Sequence, residues 1–203
     1  MDHIEKELEA GRAVILPTET VYGIFAKALD QEAVDYIYEL KRRPRDKALN
    51  LNVADEKTIR IYSKNQPSYL TKLIHSFLPG PLTIILQANE KVPNWIHSGL
   101  DTVGFRIPAH PKTLDLIRKY SPLVGPSANL SGHASGTKYR AIVSEFDQVV
   151  PGIEDDDFLT GQDSTILDIS SSKARILRQG SITKADLLAQ VPELSFEEDE
   201  LPQ

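Results

Sequence analysis

Apolar residues in this chain come in short runs, and proline or glycine closes most of them. Arg12–Leu16 stops at Pro17, Leu82–Leu86 begins behind Pro79–Gly80–Pro81, and Thr102–Ile107 stops at Pro108. Runs this short, punctuated this way, read as core strands. Between them the period changes. From Asp30, a helix cap, Val34, Ile37, Tyr38 and Leu40 form an apolar stripe, and Pro44 is expected to end that helix. Tyr69, Leu70, Leu73, Ile74 and Phe77 form a second stripe, and Pro111 to Tyr120 a third helix with proline in its first turn. Leu49–Val53 alternates with period two, the mark of a half-buried strand. Leu123–Val124, Val149–Val150, Thr165–Ile169 and Arg175–Leu177 are further strand candidates, followed by a helix from Thr183. The alternation is irregular, so the expected class is α/β with a mixed sheet rather than a strict βαβ repeat.

A chain of 203 residues can bury roughly 70% of its unfolded surface, enough for a core without staples. Cysteine is absent, which removes disulfides, thiolate zinc sites and cysteine nucleophiles together. The acidic N-terminus holds only a four-residue apolar run and reads as no signal peptide. No stretch approaches the length of a membrane span, so the cytoplasm is the expected location. The net charge of −6 is unevenly spread. Glu154–Asp157 and the five acids between Glu193 and Glu200 hold nine negative charges, and the rest of the chain carries +3. A mildly basic face is therefore compatible with an acidic whole.

Several familiar motifs fail. The five histidines lack zinc-ligand spacing, and no metal site is expected. Gly125–Asn129 has Asn where a nucleophile elbow needs glycine, and Gly132 precedes His133 where a P-loop needs lysine. Three segments survive. Lys41–Lys47 (KRRPRDK) packs five cations into seven positions, either a solvated helix end or a phosphate clamp. Gly125–Gly132 (GPSANLSG) is either a turn-prone connection or a loop offering backbone N–H groups, Ser127 and Asn129 to an anion. Pro17–Gly23 (PTETVYG) follows the first strand, where α/β proteins place ligands, or simply begins a turn. Arg106 interrupts an apolar strand and needs an anionic partner, an internal Glu or a ligand; Arg178 invites the same two readings.

Taken together, PTETVYG, KRRP, FLPGPLTIIL, TVGFRIPAHP, GPSANLSG, DSTILDI and ILRQGSI closely resemble, in order, the YrdC-like family of L-threonylcarbamoyladenylate synthases. The resemblance runs from about Ala10 to Leu188. It implies a twisted mixed sheet flanked by helices, with a basic concave cleft. It implies a nucleotidyltransferase that joins L-threonine, bicarbonate and ATP, with Mg²⁺, into L-threonylcarbamoyl-AMP and pyrophosphate, for modification of adenosine 37 in tRNAs reading codons that begin with A. Protein partners would transfer the threonylcarbamoyl group, and tRNA could bind directly. By the same resemblance Lys41 and Arg43 contact ATP phosphates and carry the catalytic role. Arg45, Thr102, Ser127, Asn129, Ser135 and Arg178 line the nucleotide pocket, and Thr18, Arg106 and Ser164 take the amino acid. The single-domain form is expected, with residues 1–192 as the catalytic domain and 193–203 as an acidic, disordered tail. Ala48 replaces a family proline, Asn52 stands where many members have His, and Gln179 interrupts the usual R-P-G. The competing reading is a double-stranded RNA or tRNA-binding module without catalysis, whose recognition rests on shape and phosphates.

Overall fold

In the computed structural model, which describes residues 2–147 and 149–197, the apolar runs do become strands. The chain begins with helix α1 (Asp2–Glu9), then strands β1 (Val14–Leu16) and β2 (Gly23–Lys27), and helix α2 (Gln31–Leu40). Strand β3 (Leu51–Asn52), helix α3 (Glu56–Tyr62) and strand β4 (Ser63–Lys64) lead to α4 (Leu70–Phe77) and β5 (Leu82–Ala88). The short α5 (Asn94–His97), β6 (Thr102–Arg106), α6 (Pro111–Tyr120) and β7 (Leu123–Val124) come next. Helix α7 (Tyr139–Glu145), β8 (Thr165–Asp168), β9 (Arg175–Arg178) and α8 (Lys184–Gln190) complete it.

The strands form one twisted mixed sheet in the order β1-β2-β7-β3-β6-β5-β8-β9, with β4 pairing on β5. Among the named strands of the described residues, β3 with β6 and β5 with β8 run parallel and the other pairs antiparallel. Much of the sheet is buried on both faces. Ile15, Ile24, Ala26 and Val124 belong to the larger core with α2, α4 and α8, while Val14, Leu16, Phe25 and Leu123 pack with α1 and α6. Burial on both faces is why these strands read as unbroken apolar runs rather than alternations. Among the described residues, no helix is long and apolar enough to cross a membrane.

Asp30 caps α2 as expected, accepting the N–H of Ala33 at 3.2 Å. Thr183 caps α8 in a capping box with Asp186. Other expectations need correction. Pro44 does not set the end of α2: the helix stops at Leu40 and Arg42 turns the chain with a left-handed φ of 48°. Leu49–Val53 pairs only at Leu51–Asn52, and Val149–Val150 forms no strand. The expected tail is packed as far as Glu197. Leu194 is buried, Ala174 bridges to Phe196, and Lys184 lies 4.9 Å from the Phe196 ring centre. An apolar side chain every second residue, too few to register as a pattern amid the acids, anchors it; residues 198–203 lie outside the described residues.

Candidate active site

The turn after β1 is built around one hydroxyl. Thr18 Oγ1 donates to the carbonyl of Val21 at 2.6 Å and accepts the N–H groups of Thr20 and Val21, so a buried side chain closes the turn. Thr113 from α6 donates to the carbonyl of Pro17, seating the turn on the helix. Glu19 then projects toward the end of β6. Its Oε1 accepts from Arg106 Nη2 at 2.7 Å and its Oε2 from the N–H of Ala109 at 2.9 Å. Arg106 Nη2 also donates to Thr20 Oγ1 at 2.7 Å, while its Nε is buried without a partner. Both side chains are nearly buried, 13% and 14% exposed, so the pair sits where charge is poorly screened.

Ser164, the residue before β8, forms the opposite wall. It is buried, with its hydroxyl 2.9 Å from that of Thr83 on β5. Antiparallel pairing sets Arg178 on β9 across from Ile166. From there Arg178 Nε donates to the Ser164 carbonyl at 2.9 Å and Nη2 to the Ser164 hydroxyl at 3.0 Å. Burial lowers the pKa of Arg178; the Asp163 carboxylate opposes that shift and the like charge of Arg106 adds to it. The two guanidiniums thus share one electrostatic field. Ser135 reaches the wall only through Asp163, at 3.3 Å.

The basic segment after α2 divides its cations. Arg43 is half-buried, donating to the carbonyls of Lys47 at 3.1 Å and Ala48 at 2.7 Å, and burial lowers its pKa. Lys41 is 1% exposed, with its ammonium bonded to the carbonyls of Ser127 and Asn129. Burial, helped by the charge on Arg43, pushes its pKa down to about 8. The carbonyl of Lys41 in turn accepts the N–H of Ser131 at 2.9 Å. One residue therefore stitches Gly125–Gly132 at three points. Asn129 donates to the carbonyls of Leu130 and His133, leaving its own Oδ1 buried and unpartnered. Gly125 has no room for a side chain, since a Cβ would lie 2.5 Å from the Phe25 ring and 2.7 Å from Asn52 Nδ2.

These walls enclose a cavity of about 250 Å³. Of the residues expected at the site, Thr18, Arg43, Arg106, Ser127, Ser164 and Arg178 line it. Lys41 and Asn129 stand behind the Ser127 loop. Arg45 and Thr102 do not line it. Arg45 turns outward, paired with Asp35 and lying 4.7 Å from the Tyr38 ring centre. Thr102 opens β6 opposite Gln87, four residues from Arg106 and so roughly 13 Å along the strand from it. Sequence reasoning missed Asn50, Thr83 and Asp163, and noted Asn52 only as a departure from the family pattern. The period-two alternation held the signal for the two asparagines, which lie opposite the apolar Leu49, Leu51 and Val53. Asp163 had no pattern to betray it.

The profile of the Sua5/YciO/YrdC family, described as "Telomere recombination", matches residues 6–180. The chain belongs to this family. A threonylcarbamoyl-AMP synthase of Pyrococcus abyssi is 38% identical over 177 residues, covering 86% of this chain and 52% of that protein. The Bacillus subtilis threonylcarbamoyl-AMP synthase is 38% identical over 185 residues, covering 90% and 54%. The crystal structure of P. abyssi Sua5 complexed with L-threonine superposes with a TM-score of 0.88 at 35% identity, covering 96% of this chain and 58% of that one. The chain thus spans about half the length of these Sua5/YciO/YrdC relatives, and the match takes in every residue that lines the cavity.

Proposed function

We propose that this chain makes L-threonylcarbamoyl-AMP from L-threonine, bicarbonate and ATP, releasing pyrophosphate. One observation carries the reading: a single cavity gathers three guanidiniums, two hydrogen-bonded to neutral oxygens, with Asp163 no nearer than 3.9 Å to Arg178, and one hydrogen-bonded to a carboxylate. The relatives named as synthases, and the one solved with L-threonine, support it. Arg106, with Thr18 and Ser164, takes the amino acid; Arg43, Ser127 and Arg178 take the triphosphate, for which planar forks and backbone donors suit phosphate oxygens. Lys41, Asn129 and Ser135 act on the nucleotide side by holding that wall.

The threonine amine adds to bicarbonate and water departs, giving a carbamate. Its oxygen forms a bond to the α-phosphorus as the α–β anhydride bond breaks, and pyrophosphate leaves with that electron pair. Charge builds on the phosphate oxygens, where Arg43 and Arg178 stabilise it. No protein nucleophile is needed, because alignment of two bound reactants alone can supply about 7–11 kcal/mol. Mg²⁺ would arrive on the nucleotide's own phosphates, with Asp163 the carboxylate on the cavity wall to face it. The product serves tRNA modification in the cytoplasm through protein partners that transfer the group. A double-stranded RNA-binding role without catalysis has less support, since it explains neither the paired arginine nor the synthase names of the relatives.

The test incubates purified protein with ATP, bicarbonate and L-threonine and measures pyrophosphate. Threonine-dependent release is expected, and its absence sinks the reading. Arg43→Gln should raise KM for ATP about tenfold or more, and Arg106→Gln should do the same for threonine, one charge-assisted contact being worth about 1.5–3 kcal/mol.

A further inference from the structure

Three arginines line the cavity, but their partners differ in kind. Arg43 bonds to backbone carbonyls, and Arg178 to the carbonyl and hydroxyl of Ser164, with Asp163 no nearer than 3.9 Å. Arg106 alone of the three holds a carboxylate at 2.7 Å, that of Glu19. Glu19 is itself fixed from several directions. Its second oxygen accepts the N–H of Ala109, and its backbone carbonyl accepts the N–H of Thr160 at 3.0 Å. It therefore ties the turn after β1 to the turn after β6 and to the segment before β8. Arg106 Nη2 is fully used by Glu19 and Thr20, while Nε, on the same planar fork, is buried and unpartnered. Nη1 makes no hydrogen bond among the described residues and is not buried, so it is the donor of this cavity-lining guanidinium left for an acceptor.

We propose that Glu19 is a positioning residue for the amino-acid carboxylate. It holds Arg106 by one nitrogen so that the rest of the fork stays presented. By neutralising that corner it also leaves the dense charge of phosphate to Arg43 and Arg178. This rests on the reading of the Arg106 corner as the amino-acid end. Glu19 acts through Arg106, not on the ligand.

Glu19→Gln keeps the side chain's size but has one acceptor oxygen for two donors, so it cannot serve both Arg106 and Ala109. Titration calorimetry on the full chain, with L-threonine and separately ATP, compares wild type, Glu19→Gln, Arg106→Lys and the double variant. The expected result is about tenfold weaker threonine binding in Glu19→Gln, ATP binding within about twofold, and less than twofold further loss when Glu19→Gln is added to Arg106→Lys. Unchanged threonine binding, equal weakening of both ligands, or the same tenfold loss in both backgrounds overturns the positioning role. A wild type that binds ATP but no threonine overturns the amino-acid reading itself. Should Glu19→Gln not fold, Glu19→Asp gives the same comparison: weaker threonine binding with ATP unmoved is expected, and parallel loss of both overturns the proposal.

Discussion

Lys41 and Ser127 are 86 positions apart in the chain, yet the ammonium of one is bonded to the backbone carbonyl of the other. The bond, repeated at Asn129, makes a buried cation the brace of the loop that forms one wall of the cavity. Lys41→Met fills the space without the charge and leaves two buried carbonyls unpaired, each at about 1–3 kcal/mol, offset in part by removing a costly buried ammonium. A net loss of about 1–3 kcal/mol is expected in denaturant unfolding. Amide exchange across residues 127–131 should quicken in the same variant. An unchanged midpoint with unchanged loop exchange would show that the brace is idle.

The same lysine gives stability a pH signature. Burial holds its pKa at about 8 in the folded chain, below the ordinary 10.5. Between those values the unfolded chain binds more protons than the folded one, so this residue's contribution rises with pH from about 8 to 10.5. Unfolding free energy of wild type minus that of Lys41→Met should grow by up to roughly 3 kcal/mol across that window. A difference flat with pH contradicts the buried, charged assignment.

Much of this was legible before any coordinates. The cap at Asp30, the helix from Pro111 and the strand before Gly125 all follow from local chemistry that a few neighbouring residues contain. What the sequence withheld was direction. Lys41, Arg43 and Arg45 look equivalent in KRRPRDK, but a left-handed Arg42 and the turn at Pro44 send one inward behind the wall, one onto it and one out to Asp35. Glu19 and Asp163 became visible only once β6 and β9 brought Arg106 and Arg178 beside them, because an ion pair between distant segments leaves no periodic trace. Strand β2 and helix α7 were missed for a similar reason: their burial depends on neighbours supplied by the sheet rather than on an amphipathic pattern of their own.

Tyr22 offers a separate check on how the segment before β8 is held. Its hydroxyl donates to Asp156 at 2.9 Å and accepts the N–H of Asp155 at 2.8 Å, and burial raises its pKa. Tyr22→Phe should cost about 1–3 kcal/mol in thermal unfolding. Asp156→Asn should cost less, since an amide oxygen still accepts from Tyr139. If the tyrosine change costs less than the aspartate change, the hydroxyl is not the anchor.

Gly180 tests the opposite wall by steric means. A Cβ there would lie 2.4 Å from the Asp163 carbonyl and 2.4 Å from the Thr165 nitrogen, both backbone atoms that cannot swing aside. Gly180→Ala should therefore displace Ser164, cost about 1–3 kcal/mol in overpacking, and weaken threonine and ATP together. Normal binding with normal stability would mean that β8 has slack at this point.

The cavity takes its first lining residue at Thr18 and its last at Arg178. No short segment of the chain contains it, because its lining is drawn from residues 160 positions apart, between the turn before β2 and β9. Any molecule that fits there is therefore linked to the unfolding of most of the chain. At one hundred times its dissociation constant, such a ligand adds about 2.7 kcal/mol to global stability, and a shift in melting temperature becomes a direct assay for the substrate.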